Sequence, residues 1–269
     1  LPKCKKITLI EGTNCLSFKQ HVHEKIKKFD KIMVVVGQDV ILSDKEKEYL
    51  TRFVRNYNAI IAADHIANIR CEGTINTYPI TELKKEIEKK LLPSLVISMG
   101  NNIASYDLKY ILRRNDGYEH WQIDKAGRVR DVFHHLTTVF ECDVVDFFSS
   151  IDETKNIRNQ YLDAWKDEYQ TINLDNIPFS SFLIAKELSK VIPDKSIVHL
   201  AILNSTRLMQ YFPLKENVKV YSNFGALGID GCLSSFMGQA ISTEQLAFCL
   251  IGDLSFFYDM NSAGICHRT

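Results

Sequence analysis

The chain has no net charge: 33 lysines and arginines meet 33 aspartates and glutamates. Binding to nucleic acid or an anionic membrane through the overall field needs an imbalance, so neither partner is expected. No apolar run approaches the roughly eighteen residues of a membrane span. The apolar stretch 7–10, behind the basic start Leu1-Pro2-Lys3-Cys4-Lys5-Lys6, is too short for the core of a secretory signal. There is no C-x-x-C pair among the seven cysteines (Cys4, Cys15, Cys71, Cys142, Cys232, Cys249, Cys266), and an odd, scattered set fits reduced thiols in a cytoplasm better than a disulfide framework. Internal repeats and low-complexity tracts are absent. So are an initiating methionine and a tail-like end, and the sequence is expected to be a fragment of a longer protein.

What is present is 269 residues at 45% hydrophobic composition, enough for two ordinary domains with separate cores. Short apolar runs alternate with amphipathic stretches, the pattern of an α/β fold whose parallel strands are buried on both faces. Strands are predicted at 31–36, 59–63, 95–99 and 119–123. A helix capped by Ser43 is expected over 46–56, and a second one over 81–92, stopped by Pro93. These units make a Rossmann-like domain with a parallel sheet over 1–170. Residues 151–170 read as helical and 171–178 as turn-rich. The remainder, 171–269, opens with a helix at 180–191, followed by strands at 197–203, 218–221 and 246–251.

Two motifs in this second part suit an anionic ligand. The strand 246–251 runs into Gly252-Asp253-Leu254-Ser255-Phe256. A Gly-Asp pair at the carboxyl end of a buried parallel strand offers backbone amides to a phosphate and one carboxylate to a hard cation such as Mg2+. A plain strand-to-helix turn capped by Asp253 satisfies the same letters. Upstream, Tyr221-Ser222-Asn223-Phe224-Gly225-Ala226-Leu227-Gly228-Ile229-Asp230-Gly231 permits close backbone approach to a flat or phosphorylated ligand, or close packing of a small-residue helix. Its glycine spacing is not the G-x-G-x-x-G of dinucleotide binders.

Together these motifs resemble thiamine-diphosphate enzymes, and most nearly the menaquinone-pathway family of 2-succinyl-5-enolpyruvyl-6-hydroxy-3-cyclohexene-1-carboxylate synthases. Gly228-Ile229-Asp230-Gly231 and Gly252-Asp253-Leu254-Ser255-Phe256 match that family's segments letter for letter. Asp124-Lys125-Ala126-Gly127-Arg128-Val129-Arg130-Asp131 and Val35-Val36-Gly37-Gln38 are similar to its central-domain segments. The resemblance implies that 1–170 is a central domain and 171–269 the first part of a three-layer α/β cofactor-binding domain. It further implies thiamine diphosphate and Mg2+ as cofactors, with Asp253 as a metal ligand, Gly252, Leu254 and Ser255 at the diphosphate, and Leu227, Gly228 and Ile229 against the organic part. Asp259 stands where many relatives have asparagine. The implied activity is decarboxylation of a small-molecule 2-oxo acid with transfer or release of the acyl carbanion, by a homodimer or homotetramer. An alternative is a Rossmann-like module for oligomer contacts or nucleotide binding, with its best sites at Gly37 and Gly100-Asn101-Asn102. The pyrimidine-binding domain and the second metal ligand of the family are not in this sequence, so the chain alone is expected to be inactive.

Two departures bear on the substrate. The family carries arginine where this chain has Phe224 and Met209, and neither can imitate a bidentate guanidinium–carboxylate fork. Asn204, Ser205 and Arg207 remain as candidate substrate residues. Elsewhere, His120 and Trp121 read as core and edge residues, His21 and His23 as a solvated helix face, and Arg128, Arg130 and Asp131 as an ion-pair cluster. His134 and His135 have no third ligand at useful spacing for a metal.

Overall fold

A computed structural model describes residues 5–84, 86–151, 158–225 and 227–268. The chain divides into two compact units, Leu1–Ile172 and Asn173–Thr269.

The first unit is built on a seven-stranded sheet of β1 (Thr8–Glu11), β2 (Ile32–Val36), β3 (Ala59–Ala63), β4 (Thr74–Ile75), β5 (Leu95–Met99), β6 (Glu119–Ile123) and β7 (Leu136–Glu141). The order is β1-β7-β6-β5-β2-β3-β4, with every pair parallel. Each residue of β2 and β3 is buried, which explains their unbroken apolar runs: a central parallel strand meets packed side chains on both faces. The helix Asp44–Asn56 buries Leu50, Phe53 and Val54, and Ser43 and Glu46 close its start as a reciprocal capping box. The fold is thus the expected α/β class with a parallel sheet.

Several local expectations are corrected. In place of one helix over 81–92, the chain forms Tyr78–Leu83 and a 3-10 turn at Lys89–Leu91, while Lys85 lies outside the described residues. Pro79 starts the helix early, and Lys84 is already extended. The reason is tertiary. Lys84 and Lys90 both pair with the nearly buried carboxylate of Glu168, and six residues along a continuous helix would set them about 120° apart around its axis. Strands β1, β4 and β7 complete the sheet beyond the four predicted. His120 and Trp121 are both fully buried, the imidazole Nε2 lying 2.7 Å from the Ser98 hydroxyl. His21 is half-buried and packs edge-on against Trp121, at 6.1 Å between ring centroids. The predicted cluster of Arg128, Arg130 and Asp131 separates: both arginines bind Asp124, at 3.1 and 2.7 Å, and Asp131 pairs with Lys5 at 3.2 Å.

The second unit holds a parallel sheet of β8 (Ile197–Leu200), β9 (Lys219–Tyr221) and β10 (Ala247–Leu250), in the order β10-β8-β9. The helix Ser181–Val191 precedes it, capped by Ser180, whose hydroxyl accepts from the Leu183 amide. Strand β8 stops three residues short of the expected end. Thr206 folds back on it, its amide and hydroxyl both donating to the Ala201 carbonyl, and Leu203 takes a positive φ of 64°. Among the described residues no helix is long and apolar enough to cross a membrane.

Candidate functional site

In the second unit the chain leaves β8 for β9 on one side, then returns to β10 on the other. The carboxyl ends of β8 and β10 therefore flank a topological switch point, where open parallel sheets present their crevice. The Ala201 amide donates to the Leu250 carbonyl at 2.9 Å, closing the ladder at its mouth. Three loops leave this edge: 201–203 into the helix Asn204–Met209, 222–231 into the helix Cys232–Ile241, and Ile251-Gly252 into the helix Asp253–Tyr258.

Both sequence motifs lie on this edge, and hydrogen bonds join them. The Ser255 hydroxyl donates to the Ile229 carbonyl across the two motifs. Ser234 donates to Asp259 Oδ2 from its amide at 2.7 Å and from its hydroxyl at 2.8 Å. Asn223 Nδ2 donates to the Gly231 carbonyl at 3.1 Å and to the Ser235 hydroxyl at 2.8 Å. The Thr206 and Ser222 hydroxyls, 3.2 Å apart, tie the helix after the first loop to the second loop.

The Asp253 side chain is exposed, and its Oδ1 accepts from the Leu254 amide at 2.8 Å. Among the described residues no bond is made by the Asp253 and Ser255 amides, which belong to the donors a helix cannot satisfy internally. A Cβ on Gly252 would meet nothing within 4 Å, so the strand end is open. Leu227, with φ 56°, and Leu254 are exposed, as is Gly228, while Ile229 is half-buried. Gly231, at φ 76°, occupies the left-handed region that makes glycine the favourable residue there. Among the described residues no group of three histidine, cysteine or acidic side chains could hold a metal. Asp253 can thus supply one oxygen to a cation whose other ligands are phosphate and water, the usual manner of Mg2+.

On the helix Asn204–Met209, Asn204 and Arg207 are exposed, Ser205 is half-buried, and Met209 is fully buried. Arg207 and Met209 therefore face different ways. The joining residues Asn223, Ser234 and Asp259 carried no assigned role from sequence. Their only signal is a polar side chain inside or beside each motif.

The alternative site, at the carboxyl edge of the first unit, also has a cavity. Lined by Asp39, Gly100, Asn101, Asp124, Arg128 and Arg130 among others, it encloses about 550 Å3. Its two arginines share the one carboxylate of Asp124, and Arg130 also binds the Asn101 side chain. With Asp39, Glu46, Asp143 and Asp146 set against Lys125, the lining as a whole is acidic and does not favour a phosphate. Gly37 and Gly100 serve chain crossing. The Asn101 amide donates to the Gln38 carbonyl at 2.8 Å, and a Cβ on Gly100 would lie 2.7 Å from that same carbonyl oxygen.

No family model matches the chain. Proteins named 2-succinyl-5-enolpyruvyl-6-hydroxy-3-cyclohexene-1-carboxylate synthase do. That of Phocaeicola vulgatus is 31% identical over 268 residues, covering 97% of this chain and 48% of the relative. That of Bacteroides fragilis is 30% identical over 268 residues, with the same coverage of both. That of Desulfotalea psychrophila is 32% identical over 234 residues, covering 86% of this chain and 42% of the relative. The chain spans about half the length of the curated relatives it matches. The resemblance carried by the two motifs thus extends along nearly the whole sequence, and this chain is similar, through both of its units, to the 2-succinyl-5-enolpyruvyl-6-hydroxy-3-cyclohexene-1-carboxylate synthases.

Proposed function

We propose that this chain is the central domain and the first part of the diphosphate-binding domain of a thiamine-diphosphate and Mg2+-dependent enzyme. The activity is decarboxylation of a 2-oxo acid with transfer or release of the acyl group, and the assembly is a homodimer or homotetramer. The observation that carries this reading is the junction of the glycine loop with the Gly-Asp turn at the β8/β10 switch point, through Ser255 and Ile229. What the residues offer fits the group. An exposed carboxylate at Asp253 suits a hard cation, open space at Gly252 admits a phosphate, and the Asp253 and Ser255 amides can donate to it. Leu227, Gly228 and Ile229 would line the organic part. The cofactor, when bound, supplies the carbanion chemistry; the protein's share is binding and orientation.

Substrate recognition follows the residues that remain. Met209 is a core side chain, so the acceptor's carboxylates find no cation there. Arg207, exposed on the same helix, is the guanidinium beside Asn204 and Ser205. Thermal unfolding of the full-length protein with thiamine diphosphate and Mg2+ tests the reading: a stabilising shift in the wild type, lost in Asp253→Ala, is expected. A full-length wild type that ignores the pair at millimolar concentration would sink it. Nucleotide binding in the first unit is the weaker reading, because five acidic and three basic residues line its cavity, and titration with adenine nucleotides would reveal it.

A further inference from the structure

The helix Cys232–Ile241 begins without a cap of its own. Its N-cap is Gly231, which has no side chain to offer the first-turn amides. The missing acceptor comes from 25 residues further on, where Asp259 Oδ2 takes both the Ser234 amide and the Ser234 hydroxyl. A carboxylate here also complements the positive end of the helix dipole.

Asp259 is the residue that ends the helix Asp253–Tyr258. One short helix therefore carries the exposed Asp253 at its start, the Ser255 bond to Ile229 in its first turn, and the Asp259 clamp just past its end. On the other side, Asn223 holds the Gly231 carbonyl and the Ser235 hydroxyl. The loop between, with positive φ at Leu227 and Gly231, is closed by its own Asn223 and braced from the other segment by Asp259 through Ser234.

We propose that Asp259 is a positioning residue for the diphosphate cradle, a role that rests on the cofactor reading above. It sets the distance between the glycine loop and Asp253. It also fills the amino end of the helix Cys232–Ile241 with a carboxylate. An anion on the Cys232–Ile241 helix would meet a negative charge already bound there.

The test uses the full-length protein, titrated calorimetrically with thiamine diphosphate at saturating Mg2+, with amide exchange of residues 228–236 measured in parallel. Loss of a hydrogen bond to a charged group predicts binding weaker by about tenfold or more in Asp259→Ala. Asp259→Asn keeps one acceptor and is expected to fall between the two, and exchange in 228–236 should quicken in the same order. Ser234→Ala removes only the hydroxyl bond and covers the case in which Asp259→Ala does not fold; it should weaken binding by a smaller factor. Unchanged affinity in a folded Asp259→Ala or Ser234→Ala chain overturns the positioning role and leaves the cofactor reading intact. A full-length wild type that gives no binding heat overturns both.

Discussion

The Ser255 hydroxyl donates to the carbonyl of Ile229, 26 residues earlier, and so joins the strand-end turn to the glycine loop. Ser255 is 7% exposed, so water cannot readily replace the bond. Removing it with Ser255→Ala leaves a carbonyl short of a donor, which is expected to cost about 1–2 kcal/mol. Urea unfolding should show a lower midpoint with an unchanged slope. An Ala variant as stable as the wild type would show that the bond holds nothing together.

A second relationship gives a pH dependence. Asp64 is half-buried at the end of β3, and burial pushes its carboxyl up to about 6 against the pull of the Ala104, Ile66 and Ala67 amides and of Lys109. A carboxyl raised above its unfolded value favours the folded state at low pH, and that contribution disappears as pH rises through the folded value. Between about pH 4 and pH 7 the wild type should therefore lose on the order of 3 kcal/mol relative to Asp64→Asn, which does not titrate. Denaturant titrations of the two proteins at several pH values check this. Parallel stability curves would contradict it.

Asp124 has the opposite sign. Burial pushes its carboxyl up, but Arg128, Arg130 and the Ala126 and Arg128 amides outweigh that and hold it below its usual value. Its contribution is present at neutral pH and is lost only in acid, as pH falls through the lowered value. With its side chain 2% exposed, Asp124 is the hub, whereas Arg128 is 63% exposed. Asp124→Ala is expected to cost about 2–3 kcal/mol, and Arg128→Ala under about 1 kcal/mol. Equal losses in chemical denaturation would refute the hub.

These residues also show why some features were legible and others not. Strands β2, β3 and β5 announce themselves because a central parallel strand is apolar along its whole length. Strand β7 carries Thr137, Thr138 and Glu141, and β1 is exposed at three of four positions, so neither shows that signature. The helix expected over 81–92 failed because Glu168, about eighty residues later in sequence, draws Lys84 and Lys90 to one point. In the second unit, the Gly-Asp turn and the glycine loop could be read because each depends on local backbone geometry. The Ser234–Asp259 bond could not, because nothing local to either residue requires the other.

Gly252 separates stability from binding. At φ −75° its backbone suits any residue, and a Cβ there would touch nothing within 4 Å. Gly252→Ala is therefore expected to leave stability within about 0.5 kcal/mol of the wild type, as at an unconstrained surface position. Gly231→Ala is the contrast: at φ 76° the left-handed backbone penalises a Cβ by about 1 kcal/mol even though the nearest side-chain atom, Asn223 Nδ2, is 4.0 Å away. If the space beside Gly252 receives the diphosphate, the Ala methyl blocks a phosphate oxygen that would otherwise approach the backbone. Affinity for thiamine diphosphate with Mg2+ should then fall at least as far as in Asp253→Ala, with the thermal midpoint of the free chain unchanged. A Gly252→Ala chain that binds as the wild type does would move the anion away from this turn, and the role of Asp253 as a metal ligand would move with it.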